Sequence, residues 1–69
     1  MSHATINKIA IGYEFIKDGK RIGLYHTETI QLFGPYALYA TPETPEEALR
    51  LVNEYLDRVE EERAEATQW

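Results

Sequence analysis

The sequence predicts an α+β fold, a two-layer sandwich in which an antiparallel three- or four-stranded meander (β-β-β(-β)-α) carries one long C-terminal amphipathic helix on one face. Three observations predict this fold class: apolar residues alternate with period two in the first part of the chain, an Asp-Gly hairpin signal follows, and the period then changes to that of a helix. The 69 residues make a single small domain. We expect a flexible terminus over residues 1–5, the sheet over 6–41, the helix over 44–64, and a frayed tail or helix extension over 65–69.

A hairpin is predicted at the start of the sheet. Alternation from residue 6 indicates one half-buried strand, whose inner side chains are those of Ile9, Ile11, Tyr13 and Phe15. Asp18-Gly19 favours a type I′ turn, which places Phe15 opposite Ile22. The inner residues of the return strand are then Ile22 and Leu24. The residues left on the outer face include Gly12, Gly23 and Tyr25, and the two glycines there either admit another backbone or a ligand, or relieve twist.

Residues 27–41 leave two arrangements open. Residues 29–33 and 36–40 both look extended, and Gly34-Pro35 separates them. They form either a second hairpin, or one long second strand followed by a third. The stretch from Ile30 to Phe33 carries no charge to discourage the addition of another strand.

The helix is marked by its first residues and by its apolar side. Thr44 is a good N-cap, Pro45 suits the first helical position, and Glu47 completes a capping box. One arc of about 160° collects the apolar side chains, which are those of Ala48, Leu49, Leu51, Val52, Tyr55, Leu56 and Val59. The solvent side is predicted to hold Arg50, Asn53, Glu54, Asp57, Arg58 and Glu61.

Composition disfavours catalysis and points to a cytoplasmic protein. The chain has no cysteine, which removes thiolate nucleophiles, disulfides and thiolate-rich zinc sites. It has two histidines and no glycine-rich phosphate loop, and its helix carboxylates fall on the predicted solvent side. We therefore expect no enzyme activity, no cofactor and no metal. No apolar run approaches the length of a membrane span or a signal-peptide core, so we expect no membrane partner.

Charge and aromatic residues indicate a protein partner. The net charge is −5, and residues 42–69 alone hold nine acids and three arginines. That acidic side is either a solvated helix face or a recognition surface. Eight aromatic residues exceed what one thin core needs, so some of them must lie outside it. The candidate interface residues are Tyr25, Tyr36, Tyr39, Val59 and Trp69. We expect a homodimer, built on the sheet edge or on the outer end of the helix.

The order of elements resembles known small domains. The chain has a strand, an Asp-Gly-Lys-Arg hairpin at residues 18–21, a second strand, and a helix opened by Thr-Pro-Glu-Glu-Ala at residues 44–48. This order is similar to that of the three-stranded DNA-binding domains of plant transcription factors and integrase N-termini. They are also similar to small antitoxin-type β-β-β-α domains. The first resemblance implies nucleic-acid binding through the outer sheet face. Its candidate residues are Lys8, Lys17, Lys20, Arg21 and Tyr25.

Three functions follow, in order of preference. The first is a non-catalytic acidic module that self-associates and regulates or inhibits a larger protein, as antitoxins, phage-encoded inhibitors of host defence and regulatory subunits do. The second is a nucleic-acid-binding domain, which the negative charge disfavours. The third is a small-molecule-binding or enzymatic oligomer with its site between subunits. The same fold class accommodates all three.

Overall fold

The computed structural model describes residues 3–66, with side-chain surroundings up to residue 62. Its elements are β1 (Thr5–Ile9), β2 (Gly12–Lys17), β3 (Lys20–His26), β4 (Thr29–Leu32), β5 (Tyr39–Ala40) and α1 (Pro45–Ala66). The strands form one antiparallel sheet in the order β1-β2-β3-β4-β5. Helix α1 covers one face of this meander. The predicted α+β two-layer sandwich is therefore confirmed, with five strands rather than three or four.

The extra strand arises because the predicted first strand folds back on itself. A turn at Ala10-Ile11 separates β1 from β2, and Ile9 pairs with Gly12. Ile11 therefore projects from a turn and is 59% exposed, so its predicted inner position is wrong. Gly12 has a φ of 153° and lies so close to the carbonyl oxygen of Tyr25 that a Cβ atom would clash with it. The chain's own backbone thus explains this glycine.

The hairpin from β2 to β3 is confirmed, but its register shifts by one residue. Asp18 and Gly19 both have positive φ (54° and 78°), as a type I′ turn requires. Beyond them the register breaks between Phe15 and Ile16, so that Phe15 pairs with Gly23 and Ile22 is the extra residue of a β-bulge. The predicted pairing of Phe15 with Ile22 is wrong.

The bulge exchanges the faces of two neighbouring side chains. Tyr25 now pairs with Tyr13 on the inner face and is only 6% exposed, so its predicted outer position is wrong. Leu24 pairs with Glu14 on the outer face instead. The Tyr25 hydroxyl donates a buried hydrogen bond of 2.7 Å to the carbonyl oxygen of Pro42, which satisfies the polar end of the ring.

Residues 27–41 form the second hairpin of the two predicted arrangements. Thr27 and Glu28, with φ of 52° and 59°, connect β3 to β4, and β5 then pairs with β4 through Ile30 and Gln31. Strand β5 therefore covers Ile30 and Gln31, so this half of the stretch from Ile30 to Phe33 is not an open edge. The edge strands of the sheet are β1 and the two-residue β5.

The helix begins where its capping residues predict. The Thr44 hydroxyl accepts the backbone N–H of Glu47 at 3.2 Å, and the Thr44 carbonyl accepts that of Ala48 at 3.0 Å. The helix ends at Ala66, two residues beyond the predicted end. Residues 67–69 lie outside the described part of the chain. The buried core consists of Ala4, Phe15, Ile22, Tyr25, Ile30, Ala48, Val52 and Leu56.

Helix α1 also holds the N-terminal segment. Asn53, predicted on the solvent side, accepts the backbone N–H of Ala4 through Oδ1 (2.7 Å) and donates to the Ala4 carbonyl through Nδ2 (3.3 Å). His3 lies 3.1 Å from Asp57 on the next helical turn. Ala4 is buried, and Thr5 already belongs to β1. Residues 1 and 2 of the predicted flexible terminus lie outside the described residues, and the flexibility of residues 1–5 stays a prediction.

Candidate functional site

The sheet face that points away from α1, here called the outer face, is close to electrically neutral. Pairing and alternation place Glu14, Leu24, Gln31 and Tyr39 side by side across it. The charged residues that its strands present there are Glu14 and Arg21. Their side chains form an ion pair with a closest nitrogen-oxygen distance of 2.7 Å, so the two charges cancel.

Large apolar side chains are exposed on this face. Tyr39 is 78% exposed and pairs with Gln31. Phe33 is 40% exposed and directly follows β4, where continued alternation from Gln31 assigns it to the same side of the sheet. Ile11 reaches the same face from the β1–β2 turn, where it borders a hollow together with Leu24. We call Ile11, Leu24, Phe33 and Tyr39 the outer-face patch. A contiguous exposed apolar patch on a small domain is a candidate contact site for another protein.

The hollow lies on the outer face and is bordered by Gln31, the residue with which Tyr39 pairs. Its volume is about 420 Å³, and it opens to solvent. It is lined by Ile11, Leu24, His26, Thr27, Thr29 and Gln31. This lining contains no carboxylate, lysine or arginine. It can accept an apolar or aromatic group with one hydroxyl, but it offers none of the paired acid–base groups that hydrolysis or group transfer needs.

The predicted interface residues do not form one surface. Tyr39 is exposed in the patch, whereas Tyr25 lies in the core and is unavailable to a partner. Tyr36 and Val59 border a cleft of about 80 Å³ on the helix side of the sheet, where the Tyr36 ring meets Tyr55 edge-on. Trp69 lies outside the described residues.

The candidate nucleic-acid residues are also separated. The Lys17 side chain is 15% exposed and its Nζ lies 3.2 Å from Asp18 and 3.9 Å from Glu60; the hydrogen bond to Asp18 raises the pKa of Lys17. Arg21 is paired with Glu14. Lys8 and Lys20 remain exposed, but Lys8 pairs with Tyr13 on the helix side of the sheet. The described residues therefore provide no continuous basic surface, and duplex nucleic acid requires one.

No family model, curated protein or solved structure matches this chain. Among the described residues, no three histidines or acids converge as metal ligands would. The helix of the described chain is too polar along its length to cross a membrane.

Of the outer-face patch, Tyr39 is among the interface residues that the sequence predicts, and Ile11, Leu24 and Phe33 are not. The sequence predicts Ile11 and Leu24 on the inner face because their apolar alternation continues through the β1–β2 turn and through the bulge. The only local signals for these irregularities are Gly12 and Gly23. A Cβ atom on Gly23 would lie 2.6 Å from the Gln31 carbonyl oxygen, so the bulge brings β4 too close for any other residue.

Proposed function

We propose that this chain is a non-catalytic protein-interaction module that binds a larger protein and regulates or inhibits it, as antitoxins, phage-encoded inhibitors of host defence and regulatory subunits do. The outer-face patch carries this proposal. A small domain leaves three large apolar side chains in water on the same side of its sheet: Ile11, Phe33 and Tyr39. Burying them against a partner is favourable, at roughly 25 cal/mol per Å² of apolar surface.

The distribution of charge supports a protein partner over a nucleic acid. The outer face is neutral, and nine of the twelve acids lie in residues 42–69. Helix α1 (Pro45–Ala66), on the other side of the sheet, holds most of these nine. The apolar residues of a protein partner can pack against the patch without electrostatic repulsion from the outer face, because the two charges there are paired. The acidic layer behind the sheet repels phosphate backbones and favours partners with basic surroundings, mainly through the rate of association.

Capture from the native cell with matched variants tests the proposal. The baits are the natural chain, a patch variant that combines Ile11→Asp and Tyr39→Asp, and an Arg58→Asp control. Patch variant and control change the net charge equally, and Arg58 lies on an exposed part of the helix. Far-UV circular dichroism and thermal melts first establish that all three fold.

We expect quantitative mass spectrometry to find a protein that the natural chain and the Arg58→Asp control retain and that the patch variant loses. The two introduced carboxylates would have to be desolvated in the interface, which costs far more than the lost apolar contact. Equal recovery by the patch variant would show that the outer face does not bind the partner.

A further inference from the structure

We propose that the outer-face patch binds a second copy of this chain, in a two-fold dimer in which Tyr39 of each copy enters the hollow of the other. This inference rests on the proposed function, because it names an occupant of the same patch. The second copy covers the patch until the larger partner takes its place.

The first argument is that the face is complementary to itself. A two-fold interface needs a projecting group and a recess on the same surface, so that each copy supplies both. Tyr39 is the most exposed large apolar side chain of the described residues, and it belongs to β5, the neighbour of β4, whose Thr29 and Gln31 line the hollow. Tyr39 pairs with Gln31, which lines the hollow, so both features belong to one continuous face. The volume of about 420 Å³ accommodates a phenol ring, and Thr27, Thr29 and Gln31 can pair with its hydroxyl.

The second argument is electrostatic. Most surfaces of a chain with net charge −5 repel a second copy of that chain. The outer face adds little to this repulsion, since Glu14 and Arg21 neutralise each other there. Packing two outer faces together also places two sheets between the acidic helix layers, so that the like charges stay far apart. Two sheets stacked in this way are separated by about 10 Å.

The third argument is that both sheet edges discourage strand addition. Edge strands commonly avoid pairing by carrying an inward-pointing charge or by being very short. Lys8 of β1 points to the helix side of the sheet, in register with Tyr13. Strand β5 has only two residues. These features disfavour a dimer built on the sheet edge that the sequence suggested, whereas the outer face carries no such protection.

Sedimentation equilibrium over a wide concentration range tests the inference. The contact area of one small sheet face is at the low end for specific interfaces, so we expect a dissociation constant in the micromolar range. Tyr39→Asp removes the projecting group, and Thr29→Tyr fills the hollow without adding charge. Each should weaken the dimer at least about tenfold, a loss of about 1.4 kcal/mol. The Arg58→Asp control should dimerise like the natural chain, since a charge on the helix layer is remote from the interface.

A natural chain that stays monomeric at high micromolar concentration would overturn the inference. So would a dimer that Tyr39→Asp leaves intact, because its interface must then lie elsewhere, for example at the helix end near Val59. Neither result contradicts the proposed function, provided that the patch variant still fails to capture the protein that the natural chain retains. The converse outcome is that the variants weaken the dimer as expected while the patch variant captures the larger protein as well as the natural chain does. That result supports the dimer and shows that the larger protein binds elsewhere.

Discussion

Asn53 provides the sharpest test of how the helix holds the sheet. Its side-chain amide makes two hydrogen bonds to the backbone of Ala4, at 2.7 and 3.3 Å, across 49 residues of sequence. Asn53→Ala removes both partners and leaves the N–H and the carbonyl of a buried residue unpaired. The same change improves the helix, because alanine has a higher helix propensity than asparagine.

The two effects have opposite signs and can be estimated. Losing two hydrogen bonds costs about 2 kcal/mol, and the gain in helix propensity returns about 0.6 kcal/mol. The net loss in free energy of unfolding should be about 1.4 kcal/mol. With a urea m-value of about 1 kcal/mol/M for so small a domain, the midpoint should fall by about 1.4 M.

Urea unfolding followed by circular dichroism measures this difference, and Arg58→Ala is the matched control. Arg58 is exposed on the same helix, so its replacement tests helix propensity without removing a contact to the sheet. We expect that variant to stay within about 0.5 kcal/mol of the natural chain. If Asn53→Ala proves as stable as Arg58→Ala, the two bonds to Ala4 do not stabilise the fold and the N-terminal segment is not held by the helix.

Three further predictions concern the cap, the core tyrosine and nucleic acid. Thr44→Ala should cost about 1 kcal/mol and Thr41→Ala less; denaturant melts that rank them in the opposite order would move the helix start. Burial raises the pKa of Tyr25 above its ordinary value of 10.0, so its neutral form stabilises the fold below that pH and the contribution is lost as the pH rises through the folded pKa. Urea midpoints measured across that range should fall less for Tyr25→Phe, and identical pH profiles would contradict this. Duplex DNA should bind weakly or not at all at physiological salt. Submicromolar binding in a fluorescence titration, lost when Lys20 and Arg21 are changed to Glu, would instead support the nucleic-acid alternative.

Local signals predicted the helix and the central hairpin because their chemistry lies within a few residues. Thr44 needs only Glu47 and Ala48 to cap the helix, and Asp18-Gly19 makes its turn with its own backbone. The second turn shows the limit. Thr27 is β-branched and has a φ of 52°, a conformation that its side chain disfavours and that only the pairing of β3 with β4 imposes.

The patch depended on contacts that the sequence does not display. Ile11 continues an apolar alternation although it occupies a turn, and the period is the same on both sides of that turn. Leu24 and Tyr25 are neighbours in β3, so only one of them can face the core. Tyr25 does so, and its hydroxyl donates a hydrogen bond to the carbonyl oxygen of Pro42, a partner 17 residues away.

The bulge therefore decides both the core and the surface. Without the extra residue at Ile22, Leu24 would point inward and Tyr25 outward, and the hollow on the outer face would lose one of its two apolar walls. With it, Ile22 and Tyr25 both reach the core although they are three residues apart, and Leu24 joins Ile11 on the outer face. Gly23 permits this because only a residue without a side chain fits against β4 at that point. A substitution at Gly23 should consequently disturb the partner surface as well as the stability of the fold, which links the two properties through a single backbone position.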